Sequence, residues 1–265
     1  MSVADYHTHT PLCKHAQGNP SEYANHAVRI GLAEVGISDH NPMPETFDDW
    51  RMEWSEIPQY FDLVTEAREL NPSIPVRLGW ECDFIPGRED VVDKLLAVGA
   101  VDYLIGSVHY ITPNWAVDNP NELAYFSKVG VDEVWKLYWK LYEQMIRTKL
   151  FDFHAHPDLP KKFGHRPQGD LRYYYEPVIK ALVDTNGAIE VNTAGLRKDC
   201  RESYPGLDFL TLAKSANIPL VISSDAHAPQ DCGYAFQETI QSLKQIGYTH
   251  TLLFQNRCRT LVPLE

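Results

Sequence analysis

Short apolar runs alternate along this chain with segments whose apolar residues recur at helical spacing. Residues 3–6, 35–38, 76–80, 103–107, 151–153, 188–191 and 220–223 have the length and composition of seven buried strands, and 251–254 of a final short one. Between them, residues 21–32, 57–70, 90–98, 131–148, 173–185, 207–216 and 237–245 have helical periodicity. Pro20-Ser21 is a start signal for the first of these, and Asn71-Pro72 stops the second. Such alternation predicts a parallel sheet with helical crossovers. Val134, Leu137, Tyr138, Leu141 and Met145 form the core-facing stripe of the helix over 131–148. Residues 111–130 are polar and aperiodic, with Pro and Asn, and predict a long loop. No repeat, low-complexity tract or linker divides the chain, so residues 1–265 are expected to form a single domain.

The strand ends carry a second pattern. Six of the seven are followed by residues of metal-ligand type: His7, His9 and His15, then Asp39-His40, Glu81, His109, His154-Ala-His156, and Asp225-Ala-His227. Seven strands with helices between, six of them delivering ligands at their carboxyl ends, describe an α/β barrel with its site on that face. A length of 265 residues is normal for such a barrel. In an extended segment His7 and His9 point to one side, as do His154 and His156, and Asp225 and His227. Two imidazoles on one side can share an ion. Of His154 and His156, one is expected to be a ligand and the other a neighbour. Asp39 could ligate, or hold the His40 ring from behind. Glu81 ends an apolar strand, where a carboxylate is costly to bury unless paired or metal-bound, and it could bridge two ions. Imidazole and carboxylate together suit zinc, iron or manganese. There are more candidate ligands than one ion can use, which points to a multinuclear site.

Charge narrows the partners. The formal net charge of −12 disfavours long nucleic acid and anionic membrane surfaces, both polyanions. It leaves room for a small phosphate ester, because bound divalent ions would make a local positive site. Five cysteines, odd in number and without a C-x-x-C pair, fit a reducing compartment rather than a disulfide framework. The start MSVADYHTHT has neither a basic nor an apolar signal region, and no run of 18 apolar residues occurs. A cytoplasmic location is expected.

The stretches DYHTHTPLCKHAQG, GISDHNP, GWECDF, IGSVHY, HPDLPKKFG, EVNTAGLRK and ISSDAHAP carry a resemblance. Over nearly its whole length the chain resembles the polymerase-and-histidinol-phosphatase (PHP) family, and within it the histidinol-phosphate phosphatase branch. The resemblance implies a distorted seven-stranded (β/α) barrel and a trinuclear metal centre. It implies that His7, His9, Glu81 and Asp225 hold one ion, that Glu81, His109 and His156 hold a second, and that His15, His40 and His227 hold a third. His156 takes the ligand role over His154 because it stands directly before Pro157-Asp158-Leu159. Arg197, in Glu190-Val-Asn192-Thr-Ala-Gly-Leu-Arg197-Lys198, would fork two phosphate oxygens, and Arg166 is a second candidate. The expected reaction is hydrolysis of L-histidinol phosphate in histidine biosynthesis, by in-line attack of a metal-activated water. Glu81, Asp225 and His227 are the expected catalytic groups, with Asp225 or His227 assisting the leaving alkoxide. Two alternatives stay open: a PHP phosphoesterase for another small phosphate ester or nucleotide, and a metal-binding module without turnover.

Overall fold

The computed structural model describes residues 2–45 and 47–265. Its strands are β1 (Ala4–Asp5), β2 (Glu34–Ile37), β3 (Val76–Asp83), β4 (Tyr103–Ser107), β5 (Tyr110–Thr112), β6 (Trp115–Ala116), β7 (Phe153–His154), β8 (Ile189–Asn192), β9 (Leu220–Ser223), β10 (His250–Gln255) and β11 (Cys258–Pro263). Its helices are α1 (Pro20–Ile30), α2 (Ile57–Leu70), α3 (Asp90–Val98), α4 (Ala124–Val129), α5 (Val131–Thr148), α6 (Arg172–Thr185), α7 (Leu207–Ser215) and α8 (Phe236–Ile246). Seven strands form one parallel sheet in the order β1-β2-β3-β4-β7-β8-β9. Its two edges meet through a parallel bridge between Thr8 and Ala226. There the His9 amide donates to Ala226 O at 3.0 Å, and the Ala226 amide to His7 O at 3.0 Å. The product is the (β/α) barrel that the alternation predicts.

Local chemistry sets the element limits. Pro20 occupies the first turn of α1, Asn19 and Glu22 form a capping box, and Gly31 ends the helix at φ 76. The buried stripe of α5 runs through Val134, Trp135, Tyr138, Trp139, Tyr142, Met145 and Ile146. It does more than fill the core. Tyr138 Oη donates to His156 O at 2.9 Å and Tyr142 Oη to Ala155 O at 2.9 Å, so the helix grips the segment just past β7. Tyr60 of α2 does the same for β2 and β3, donating within reach of Ile37 O (2.9 Å) and Gly79 O (2.8 Å).

The barrel interior is a separate core of Tyr6, Tyr103, Ile105, Phe153 and Val221, stoppered by Leu252 and Phe254. Tyr103 lies where a β-carbon on Gly36 or Gly79 would collide with its ring or hydroxyl, so these two strands are glycine at that layer to make room for it. Tyr6 Oη donates to Glu34 at 2.6 Å and accepts from the Phe254 amide at 2.9 Å. A half-buried Arg–carboxylate pairing of Arg77 with Glu34 completes that network.

Three expectations need correction. Residues 111–130 are not one loop: β5 and β6 pair, and α4 follows. Trp115, Val117 and Phe126 are buried there, and Phe126 stacks on His165 at 4.1 Å. These apolar residues are isolated between Pro and Asn, so no period shows. The strand expected over 251–254 is one arm of a β10–β11 hairpin. Its turn, Asn256-Arg257, has φ of 50 and 61, the double left-handed geometry suited to the twist of a tight hairpin. The strand expected over 151–153 is instead Phe153–His154.

Candidate metal centre

Glu81 is the hub. It lies on β3, buried, and imidazoles surround its two oxygens. His7 Nε2 approaches Oε2 at 3.1 Å, His9 Nε2 at 3.6 Å and His40 Nδ1 at 2.9 Å. His156 Nε2 approaches Oε1 at 3.0 Å and His109 Nε2 at 3.5 Å. Asp225 Oδ1 stands 3.3 Å from His9 Nε2 and 3.8 Å from His7 Nε2. On the outer side His15 Nε2 and His227 Nε2 face each other at 2.9 Å, and the His227 ring stacks on His9 at 4.1 Å. The nine expected ligands thus occupy one place, at the carboxyl ends of the barrel strands.

The backs of the rings are held. His7 Nδ1 bonds Glu190 at 2.7 Å, and His109 Nδ1 bonds Asp83 at 2.8 Å. His9 Nδ1 faces Asp39 at 3.4 Å, and His15 Nδ1 bonds Cys13 O at 2.7 Å. Such partners fix which nitrogen is free to ligate. Asp39 therefore supports the His9 ring, not the His40 ring; His40 gives Asp39 only its backbone amide, at 3.0 Å. Glu190 and Asp83 hold the rings of two candidate ligands, and motif spacing left both without a role. Period-two alternation carried the signal, since Asp83 follows Glu81 by two on β3 and Glu190 precedes Asn192 by two on β8.

The expectation that His154 and His156 share one side is wrong. His156 has φ of 26, which breaks the strand's alternation and turns its ring toward Glu81. His154 remains in the strand, packs near Phe151 and Tyr142, and bonds Ala188 O through Nδ1 at 2.9 Å. Asp225 also adopts a left-handed φ, 51. Backbone held in that region by non-glycine residues concentrates at functional sites.

The cluster opens into a cavity of about 610 Å³, lined also by Trp50, Lys162, Arg197 and Lys198. Arg197 ends the short helical turn Thr193–Arg197, which Asn192 caps. One terminal nitrogen donates to Ser224 O at 3.0 Å, and the guanidinium lies 5.0 Å from the Tyr234 ring centre. Its other terminal nitrogen, Nη1, is buried without a partner. Lys162 bonds Asp118 at 2.9 Å across the cavity edge. Arg166 is not brought to this cavity: Glu202 takes its guanidinium at 2.9 Å.

Electrostatics favour cations here. Burial opposes a charged His9, yet Asp225 and Asp39 outweigh it and push its pKa up to about 9. Burial likewise opposes a charged His109, and Asp83 and Glu81 raise it to about 10. His40, where burial prevails, falls to about 4. Burial works against the Glu81 and Asp225 carboxylates, but the surrounding histidines hold both well below the usual range. Meanwhile His7 Nε2, His9 Nε2, His40 Nδ1 and Glu81 Oε2 are buried with no hydrogen-bond partner. Orphaned lone pairs converging on carboxylates are costly unless a cation sits among them. Ligand atoms of His7, His9 and Glu81, of His40, Glu81 and His109, and of His9, His40 and His227 each lie within 4.8 Å of one another. The residues fit a metal centre.

The comparisons agree with this geometry. The model of the PHP domain matches residues 5–194. The chain is 38% identical over 257 residues to a probable histidinol-phosphatase of Deinococcus radiodurans, covering 96% of this chain and 97% of that one. It is 26% identical to a histidinol-phosphatase of Bacillus subtilis, over 91% and 99% of the two chains. The structure of a histidinol phosphate phosphatase from Lactococcus lactis, complexed with zinc, L-histidinol and phosphate, superposes with a TM-score of 0.83 at 18% identity, over 98% and 99% of the chains. A distorted seven-stranded barrel, a ligand cluster at its strand ends and a family match across most of its length place this chain in the PHP domain family.

Proposed function

We propose that the protein is a metal-dependent phosphomonoesterase that hydrolyses L-histidinol phosphate to L-histidinol and phosphate, a step of histidine biosynthesis. The observation that carries this reading is the juxtaposition of two features on one cavity wall. One is a cluster of imidazoles and carboxylates around Glu81, and the other is Arg197 with a buried, unpartnered Nη1. Relatives matched end to end are histidinol-phosphatases, which selects the substrate.

Three divalent ions (zinc, iron or manganese), held by His7, His9, Glu81 and Asp225, by Glu81, His109 and His156, and by His15, His40 and His227, would supply the charge that acidifies water and neutralises phosphoryl oxygens. The protein's own contribution is positional. Arg197 offers Nη1 to a phosphoryl oxygen while its other arm stays anchored on Ser224 O, so the fork is oriented before substrate arrives. Lys198 and Lys162 add positive charge on the same wall. Asp225 and His227 border the same cavity, and both are held below their ordinary pKa, so they serve to hold ions and the leaving alkoxide takes its proton from solvent. Glu190, Asp83 and Asp39 keep the rings from turning. The substrate is a small phosphorylated molecule, in keeping with a cavity of about 610 Å³. No helix among the described residues is long and apolar enough to cross a membrane. Five cysteines without a disulfide support a reducing, cytoplasmic setting.

The test is phosphate release from L-histidinol phosphate against a panel of sugar phosphates and nucleotides, with metal content measured on the same preparation. Preference for another ester would move the substrate within the family. Full metal content without turnover of any ester would leave a binding module.

A further inference from the structure

The strand that carries His156 also carries a histidine the catalytic cavity does not use. His154 is buried; its Nδ1 donates to Ala188 O at 2.9 Å, and its Nε2 has no partner. With the proton on Nδ1, Nε2 presents a lone pair that calls for a donor. The ring lines a second cavity, about 260 Å³, where the last turns of α5 and α6 meet the β10–β11 turn.

Lys149, Arg257 and Arg259 line the same cavity, and Asp152 is its one acidic neighbour among the described residues. Arg257 bonds Asp152 through Nε at 2.8 Å and Leu150 O through Nη2 at 2.7 Å. Arg259 bonds Asn186 O through Nη1 at 2.9 Å. The arginines thus cover carbonyls near two helix ends, which accounts for part of their placement. It leaves Arg257 Nη1, Arg259 Nη2 and the Lys149 ammonium without partners among the described residues, and it provides no donor for His154. Three cations facing one carboxylate are a local excess in a chain of net charge −12.

We propose that this cavity binds a small oxyanion that also bears an O–H, either inorganic phosphate or a hydroxycarboxylate. Its anionic oxygens accept from the free guanidinium and ammonium groups, and its hydroxyl donates to His154 Nε2. Charge-assisted contacts give the attraction, and the unpaired acceptor gives the selectivity, because an anion lacking O–H leaves His154 unfilled.

Equilibrium dialysis of the metal-loaded protein tests this, with phosphate, sulfate, glycolate and acetate as probes. Sulfate and acetate carry no O–H near neutral pH. The wild type is expected to take up phosphate at a second site besides the metal cavity. The exposed double variant Lys149→Ala/Arg259→Ala should weaken that second site by at least about tenfold and leave the first unchanged. Phosphate binding there with sulfate excluded assigns the inorganic ion; glycolate binding with acetate excluded assigns the hydroxycarboxylate. Neither phosphate nor glycolate bound at a second site in the wild type, sulfate and acetate binding as tightly as their protic counterparts, or a second site unchanged in the double variant would each overturn the proposal.

Discussion

Glu190 Oε1 meets His7 Nδ1 at 2.7 Å, and the second oxygen of the same carboxylate accepts the His156 backbone amide at 2.7 Å. One buried side chain thus fixes the tautomer of one candidate ligand and the main chain of another. Glu190→Gln is expected to lower metal affinity and activity by roughly 10–100-fold while the fold persists. Metal retention during dialysis against a weak chelator measures it; retention equal to wild type would show that His7 needs no such partner.

His156 and His154 should behave differently although two residues apart. His156→Ala removes an imidazole 3.0 Å from Glu81 and should cost metal content and most activity. His154→Ala removes a ring bonded only to Ala188 O and should leave metal stoichiometry intact. Elemental analysis of the two variants decides, and loss of metal from the His154 variant would contradict the assignment.

Arg197→Ala should keep its metal and lose kcat/KM by about 30- to 1000-fold, equivalent to roughly 2–4 kcal/mol for a charge-assisted contact in a partly dry site. Arg197→Lys should restore only part, because an ammonium cannot make the fork. Inorganic phosphate should inhibit the Ala variant less strongly. Unchanged kcat/KM would make the Thr193–Arg197 turn purely structural.

Metal uptake should release protons. In the metal-free protein His9 and His109, with pKa near 9 and 10, are charged at pH 7, whereas a ligand must be neutral. His7 is likewise held well above its ordinary value, burial opposing its charge but Glu190 and Glu81 favouring it, so loading at pH 7 should set free about three protons per chain. Apparent affinity should rise with pH until about 10, where His109 is neutral, and fall in acid. His40, held near 4, is already neutral and adds nothing to this count. A pH-stat metal titration reads the number directly; no release would mean the carboxylates do not hold these rings protonated.

Gly79→Ala tests the barrel interior. Its new methyl would strike the Tyr103 ring, which is locked in place by its own bond to Tyr6 O at 2.7 Å. The expected destabilisation is about 1–3 kcal/mol, lowering Tm by about 2–4 °C for each kcal/mol. An unchanged Tm would show that Tyr103 can move.

The legible parts of this chain were those governed by a period. His7 and His9 were readable as a pair because two residues apart on an extended segment means one side, and the seven parallel strands were readable because apolar runs alternate with helical stripes. His156 was not readable that way: its direction follows from a φ of 26, in a segment whose carbonyls Tyr138 and Tyr142 of α5 hold, and no sequence period encodes that. Glu190 lacked a role because a carboxylate inside an apolar strand gives no sign of which ring it will meet. Arg166 looked like a phosphate ligand because its partner, Glu202, is 36 residues away and becomes a neighbour only in the fold.

The stopper in the barrel floor has a consequence for how the protein folds. Tyr6 and the Phe254 amide that bonds its hydroxyl lie 248 residues apart along the chain. The edge that closes against β1 arrives only with Ala226. β1 pairs early with β2, but its other edge and the floor beneath it wait for segments more than two hundred residues further along. Contacts of such long sequence separation pay their loop-closure entropy before they reward it, so closing the barrel is expected to be the slow step of folding.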